Sequence, residues 1–317
     1  MNPILPDDAL EFGDTARKAF DALGGVDAAR RAEEHPAYRA EVRATLDALG
    51  VDDIDPRADI DTFAAAAALT EAAGRAALPY PVVGALLRRD GVPFAVIPDD
   101  RVRVDHGDLF ATWNVATING TGFAAGPEMG LERNQFGRLG PFVVDLAGDG
   151  ERVGVTHESG IDVRYALVLT AFQILGTADR AVDLASDHVS TRIQFGKPIA
   201  TFQAVQFMLA DAAVAVAGLR ELAHFTLWRA ATAPEEAGPD VLALRLHAID
   251  TARAVLRTCQ QLHGAAGVCD EYDISVITRH IQPALRLPSG AERTAALLAD
   301  AIAAQGFVGL FPHGANA

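Results

Sequence analysis

Two short stretches concentrate the residue types that grip an anionic ligand. The first is Thr191-Arg192-Ile193-Gln194-Phe195-Gly196-Lys197-Pro198-Ile199, followed by Phe202-Gln203. Arginine offers a planar fork of N–H donors that suits a phosphate, and Gln194 and Gln203 add hydrogen-bonding groups nearby. The same arginine at the C-terminal end of a helix also suits the helix dipole, so a purely structural role stays open. The second stretch is Gln260-Gln261-Leu262-His263-Gly264-Ala265-Ala266-Gly267. Its small residues let a ligand approach the backbone, or they simply end a helix in a tight turn. They follow a helical pattern and do not spell Gly-x-Gly-x-x-Gly, so a Rossmann turn is excluded.

The elements that must hold these stretches read as helices. One is predicted from about Gly160 to Phe195, stopped by Gly196 and Pro198. Thr201 is expected to cap a second, which runs to about Ala231. Pro239-Asp240 opens a third, with Val241, Leu244, Ala248, Val255 and Leu262 near one stripe, and His263-Gly264 ends it. A fourth runs from about Asp270 to just before Pro288, and a fifth from Ser289 to about Gln305. Long helices joined by short loops argue an antiparallel four-helix bundle. Upstream, helices are expected from Asp7 or Asp8 (either able to cap) to Gly24-Gly25, from Pro36 to Gly50, and from about Asp59 past Ala73. A short helix covers Val82 to Arg88. Between them and the bundle, Gly and Pro punctuate short apolar runs: Phe94-Ala95-Val96-Ile97, Val102-Arg103-Val104 and Phe142-Val143-Val144, with Asp149-Gly150 as a hairpin signal. The fold class is mostly α with a small β subdomain. Residues 1–90 form an N-terminal helical domain, 91–157 a reduced β domain and 158–317 the C-terminal bundle.

Composition narrows the function. The 317 residues carry 27 Lys and Arg against 42 Asp and Glu, a net charge of −15, with no basic stripe, which argues against nucleic acid. Half the residues are hydrophobic and 22% are charged, enough for a sizeable core. Cys259 and Cys269 form no Cys-x-x-Cys pair, and the histidines His188, His224, His247 and His280 have no metal spacing. The first residues lack a signal-peptide pattern and no run of about 18 apolar residues appears, so no membrane and a cytoplasmic location are expected.

Taken in order, the motifs resemble the acyl-CoA dehydrogenase family. They are Arg192 with Phe195-Gly196, Phe202-Gln203, Gln261 through Gly267, and Glu271-Tyr272. The resemblance covers about 160 residues from Gly160 onward. A weaker one covers Leu69-Thr70-Glu71-Ala72-Ala73-Gly74-Arg75, and Gly176 falls on a usual small position. The resemblance implies FAD as cofactor, held across a subunit interface. Arg192 and Gln194 would contact its pyrophosphate or ribose. Gln261, Gly264 and Ala265 would border the adenosine, with Phe195, Phe202, Gln203 and His263 beside them. Ala265 replaces a family glycine and adds one methyl group.

The resemblance also shows what is missing. In the family a glutamate removes the substrate α-proton while the β-hydride passes to the flavin. Its usual place, in the stretch Leu287-Pro288-Ser289-Gly290-Ala291-Glu292-Arg293-Thr294, holds Ser289 when anchored on Gly290, or Pro288 when counted from Arg279. The alternative place, 26 residues before Arg192, holds Ala166. No catalytic base is therefore assigned, with Glu292 the weak candidate. Glu158 and Arg164 flank the first long helix, and Glu128 and Glu132 read as solvent-exposed. The patterns that line the family's β domain are also not visible. The implied picture is a shortened subunit of an α2β2 heteromeric acyl-CoA dehydrogenase, as in actinobacterial steroid and cholesterol catabolism. Its partner subunit would supply the base, a bulky acyl-CoA would be the substrate, and an electron-transferring flavoprotein would be the acceptor. The alternatives are a non-catalytic assembly or regulatory paralogue, and a homomeric dehydrogenase with a different base.

Overall fold

The computed structural model describes residues 5–125, 139–146 and 157–305. The chain opens with four helices: α1 (Asp7–Ala22), α2 (Val26–Glu34), α3 (Arg39–Ala48) and α4 (Ile60–Ala76). The short α5 (Val82–Leu86) leads into strands β1 (Phe94–Ile97), β2 (Arg103–Asp105), β3 (Trp113–Thr117), β4 (Gly122–Ala125) and β5 (Val143–Asp145). The 35-residue α6 (His157–Thr191) follows, then the two-residue strands β6 (Ile193–Gln194) and β7 (Lys197–Pro198). The remainder is helical: α7 (Gln203–Thr232), α8 (Gly238–His263), α9 (Asp273–His280), α10 (Gln282–Arg286) and α11 (Ala291–Gln305). The fold is mostly α with small sheets, as the sequence leads one to expect.

Local chemistry explains the boundaries. Asp59 caps α4: its carboxylate accepts from Thr62 N at 2.7 Å, and Thr62 Oγ1 accepts from Asp59 N, a reciprocal capping box. Three expectations are corrected. Asp7 and Asp8 lie inside the first turn of α1 and Pro6 occupies the cap, so they act on the dipole instead. Thr201 does not cap α7. It sits in a 3-10 turn donating to Pro198 O at 2.8 Å, and Phe202 takes the cap position. The segment from Asp270 to Pro288 is two helices, because Pro283 has no N–H to continue one. The α2 helix is an addition. Gly24 and Gly25, with φ of 110° and 56°, turn a corner into it. The Asp149-Gly150 hairpin signal lies outside the described residues.

β3 joins β1 in parallel and β4 antiparallel, while β2 pairs with β5 antiparallel. Ile97, Val104, Trp113, Val115 and Val144 share a small core between these sheets. The Trp113 indole donates to Gly107 O at 3.1 Å, satisfying its one polar atom. Ion pairs bind this unit to the helices. Arg39, 2% exposed, grips Asp108 through two hydrogen bonds at 2.9 and 2.7 Å. Asp162 at the start of α6 takes Arg57 at 2.6 Å and Arg89 at 2.8 Å.

α6 is the central rod, packed against α4, α7 and α8. Its most apolar 18-residue window has a mean hydropathy of 1.2, and 78% of that window is buried by these neighbours. The α4–α6 contact is a backbone contact. A Cβ built on Gly74 would fall on the Gln173 carbonyl, and one on Gly176 would fall on the Glu71 carbonyl. Thr177 Oγ1 adds a hydrogen bond to Gly74 O at 2.8 Å, and Phe63 stacks on Tyr165 with centroids 4.1 Å apart. Neither glycine tolerates a side chain unless the helices separate, and overpacking of this kind costs up to about 3 kcal/mol. Gly74→Ala and Gly176→Ala are each expected to lower stability by about that amount in urea unfolding, whereas Gly218→Ala, where nothing approaches, is expected to be neutral or stabilising.

Candidate functional site

The residues singled out in the sequence meet at one end of the bundle. α6 stops at Thr191 and the chain reverses immediately. β6 and β7 pair across Phe195-Gly196, whose φ values are 54° and 78°. Two successive positive-φ residues form the primed turn that hairpins favour, a conformation unusual for a phenylalanine. Ile199 N donates to Arg192 O at 2.9 Å and closes the hairpin's base. Phe195 stands 89% exposed, edge-on to Phe202 at 6.0 Å, and Lys197 Nζ lies 4.6 Å from the Phe202 ring centre. Arg192, Gln194 and Gln203 are exposed beside it. Gln194 spends one donor on Ile193 O at 2.8 Å. Arg192 has no carboxylate partner among the described residues.

α8 ends at the same place. His263 is buried, and its Nδ1 donates to Cys259 O at 2.7 Å, which leaves Nε2 the acceptor in the neutral ring. Its ring stacks on His188 at 4.4 Å, and Tyr272 stands edge-on to both. Burial, then the neighbouring His263 and Arg192, push the His188 imidazole below its usual range. This ring stack joins the end of α6 to the end of α8. His263 thus packs beneath the turn, while Gln261, Gly264 and Ala265 lie exposed above it. The glycines differ in kind. Gly264 has φ 63° and open space where a side chain would point, whereas Gly267 presses on Gln260 and is structural. The residues present fit the pyrophosphate and adenosine end of FAD: an exposed cation without a counter-ion, neutral donors, and an open glycine turn.

A second site lies in a cavity of about 120 Å³ between the strands, α6 and α10. α6 contributes Ala166, Leu167, Thr170 and Gln173; α10 and its exit contribute Ala284, Leu287 and Pro288. Both candidate base positions therefore face one space, as Ala166 and Pro288. Ser289 turns away: its Oγ lies 2.9 Å from Thr294 Oγ1 at the start of α11. Glu292 is exposed and does not line the cavity. Arg164 lies 3.9 Å from Glu235, a loose surface pair. Glu128, Glu132 and the side chain of Glu158 lie outside the described residues.

Three residues here escaped the sequence reading. Arg245, 1% exposed on α8, donates to Leu287 O and Ser289 O, both at 2.6 Å, and so anchors the loop that replaces the usual base. It has no acid beside it, and burial lowers its guanidinium to about 10. His280 pairs with Glu33 at 2.5 Å and borders the cavity. Asp105, which ends β2, lines the cavity with Oδ1 shut off from solvent and without a partner. Burial raises its carboxyl from 3.8 to about 7. Single-sequence patterns held no signal for Asp105 or Arg245, since their burial depends on distant elements.

Arg245→Met strands two buried carbonyls and is expected to cost about 3 kcal/mol in urea unfolding. Asp105 gives a pH prediction. Between about 4 and 7 the folded chain keeps this proton while the unfolded chain has lost it, so its contribution to stability falls as pH rises and levels off above about 7. Relative to wild type, Asp105→Asn is therefore expected to be more stable at pH 8 than at pH 5. Unfolding midpoints of both proteins across that range provide the check.

Comparison with known proteins accords with this arrangement. Residues 165–302 match the family model for the acyl-CoA dehydrogenase C-terminal domain. Acryloyl-CoA reductase (NADH) of Anaerotignum propionicum is 33% identical over 135 residues, 41% of this chain and 29% of that protein. The match thus spans under a third of that relative's length. Among solved structures, the Tcur3481-Tcur3483 steroid ACAD variant superposes with a TM-score of 0.78 at 21% identity, covering 95% of this chain and 99% of that one. The ChsE4-ChsE5 complex from Mycobacterium tuberculosis gives 0.75 at 17% identity, covering 96% and 99%. Residues 165–302 are thus similar to the acyl-CoA dehydrogenase C-terminal domain, and the chain as a whole has the fold of the acyl-CoA dehydrogenase structures.

Proposed function

We propose that this chain is one subunit of a heteromeric, FAD-dependent acyl-CoA dehydrogenase that introduces an α,β double bond into a bulky acyl-CoA. The observation that carries the reading is the exposed bundle end, where Arg192 has no carboxylate partner among the described residues, Phe195 is 89% exposed and the Gly264 turn is open. Such a face is incomplete within one chain. Arg192 and Gln194 bind the pyrophosphate or ribose. Gln261, Gly264 and Ala265 border the adenosine, and Phe195, Phe202 and Gln203 pack alongside. Bound FAD supplies the hydride acceptor for the dehydrogenation. The α-proton goes to a base on the partner, since Ala166, Pro288 and Ser289 accept none and Glu292 points elsewhere.

Helix length supports placing the reaction in another chain. Ala166 and Thr191 lie 25 residues apart on α6, about 37 Å at 1.5 Å per residue. A pyrophosphate at Arg192 cannot place its flavin ring beside Ala166 of the same chain. The two structural relatives described above, Tcur3481-Tcur3483 and ChsE4-ChsE5, each carry two names, and one is a steroid ACAD, which favours a second acyl-CoA dehydrogenase-like subunit and a steroid-derived acyl group. The division at 1–90, 91–157 and 158–317, an electron-transferring flavoprotein as acceptor and a cytoplasmic location complete the proposal.

Co-purification with the neighbouring acyl-CoA dehydrogenase-like subunit tests it. The complex is expected to hold about one FAD per pair of unlike chains. Arg192→Ala is expected to weaken flavin retention tenfold or more, with the complex intact by size-exclusion chromatography, because a charge-assisted phosphate contact is worth about 1.5–3 kcal/mol. Full flavin content and activity in that variant would instead favour an assembly role for this chain. A yellow, active homomer would refute the division of labour.

A further inference from the structure

One titratable ring at the bundle end has been given no task. His188 is half-buried on the last turn of α6, four residues before the exposed Arg192. Arg192 N donates to His188 O at 2.9 Å, so the helical path runs through both residues and their side chains share a face. Residues so spaced have Cβ atoms about 5–6 Å apart. Among the described residues neither ring nitrogen of His188 has a hydrogen-bond partner. The ring stacks on His263 at 4.4 Å and meets Tyr272 edge-on at 6.2 Å.

The two stacked rings differ in what a proton can do. His263 is buried and its Nδ1–H is given to Cys259 O at 2.7 Å, whereas His188 keeps both nitrogens uncommitted. The groups that bear on His188 are Arg192 from its own helix and His263 from α8, and burial together with these two holds its imidazole below the usual range. The acids of the adjoining elements lie elsewhere. Asp183 pairs with Arg75, Asp273 with Arg30 and Arg180, and Asp270 with Arg279, while Asp187 and Glu271 are exposed. Lys197 stands over the Phe202 ring. In the free chain a second cation beside Arg192 is therefore unfavourable.

An anion on Arg192 reverses that balance. It offsets the repulsion and adds an attraction, and the C-terminal end of α6 favours a cation as well. We propose that a phosphate held by Arg192 draws a proton onto His188, which becomes the second cation of the site. This rests on the assignment of a flavin pyrophosphate to Arg192, and adds a residue and a proton to it. Solvent supplies the proton, one ring nitrogen takes it, and no bond to the ligand is made or broken. An opposite charge at this range moves a pKa by about one unit or more. By linkage, the protonated chain then holds the phosphate about tenfold more tightly than the neutral one.

The pyrophosphate of FAD is a diester and releases no proton between about pH 5 and 8, so protons taken up in that range go onto the protein. Calorimetric titration of FAD into the flavin-stripped complex, in buffers of different ionisation enthalpy, counts them. At the maximum of the pH scan, wild type is expected to take up about half a proton more than His188→Gln, and the difference is expected to vanish at pH 8. The affinity of wild type is expected to rise toward acid and that of His188→Gln to stay flat. His263→Phe, which keeps a ring in the stack, is expected to retain both effects. No uptake by wild type at any pH, equal uptake in His188→Gln, or loss of uptake in His263→Phe would each overturn the proposal while leaving the pyrophosphate assignment in place. Unchanged FAD affinity in Arg192→Ala would overturn that assignment, and the proposal with it.

Discussion

The backbone contact between α4 and α6 is the constraint on which the rest depends. Gly74 and Gly176 each lie against a carbonyl of the opposite helix, so the two axes approach more closely than side chains would permit. That approach sets the seat of α6, and α6 then sets nearly everything else. Its first half walls the cavity through Ala166, Thr170 and Gln173, and its last turn carries His188 to the stack with His263. A small separation at the glycines would be felt at both places, because a close-packed interior transmits strain instead of absorbing it.

One rigid helix therefore holds two sites at a fixed and large separation. The exposed end offers a cation and neutral donors, whereas the cavity end has a largely apolar wall with the Asp105 side chain among its lining. The loop at Pro288, which holds one of the two candidate base positions, is firmly placed. Arg245 still clamps Leu287 and Ser289 from below, at the cost of keeping a guanidinium without an acid. The loop is thus held as firmly as a working site needs while presenting proline to the cavity, a combination that suits shape more than proton transfer.

Much of this was legible in the sequence, for local reasons. Period and punctuation located the long helices. The ordered set from Arg192 to Tyr272 led to one end of the bundle, because helices ending in glycine turns bring their C-termini to the surface. The errors were also local. Thr201 resembled a cap but found a carbonyl in a 3-10 turn, and Pro283 divided a segment whose apolar spacing alone looked continuous. α2 escaped because Arg30, Arg31, Glu33 and Glu34 crowd its short apolar face of Val26, Ala29 and Ala32. Asp105, His280 and Arg245 remained hidden for a different reason. Their character comes from desolvation by elements tens to hundreds of residues away, which no window of sequence contains.

Charge pairing and setting together give the bundle end its meaning. The chain has 15 more acidic than basic groups, so carboxylates are abundant and cations are easily matched. Arg39, Arg57, Arg75, Arg103, Arg220 and Arg279 each lie within hydrogen-bonding distance of an acid. Arg192 does not, although Glu271 and Asp270 follow the adjoining turn. Its charge even bears on His188, which sits one helical turn away and is held below its usual range in part by that proximity. Among the described residues the exposed Arg31, Arg253, Arg257 and Arg286 likewise lack an ion pair, so the missing acid alone does not single Arg192 out. Its setting does distinguish it: an exposed phenylalanine in a left-handed turn follows it, and the adjoining helix ends in a glycine with open space above it, which suits the proposed contact with a flavin phosphate.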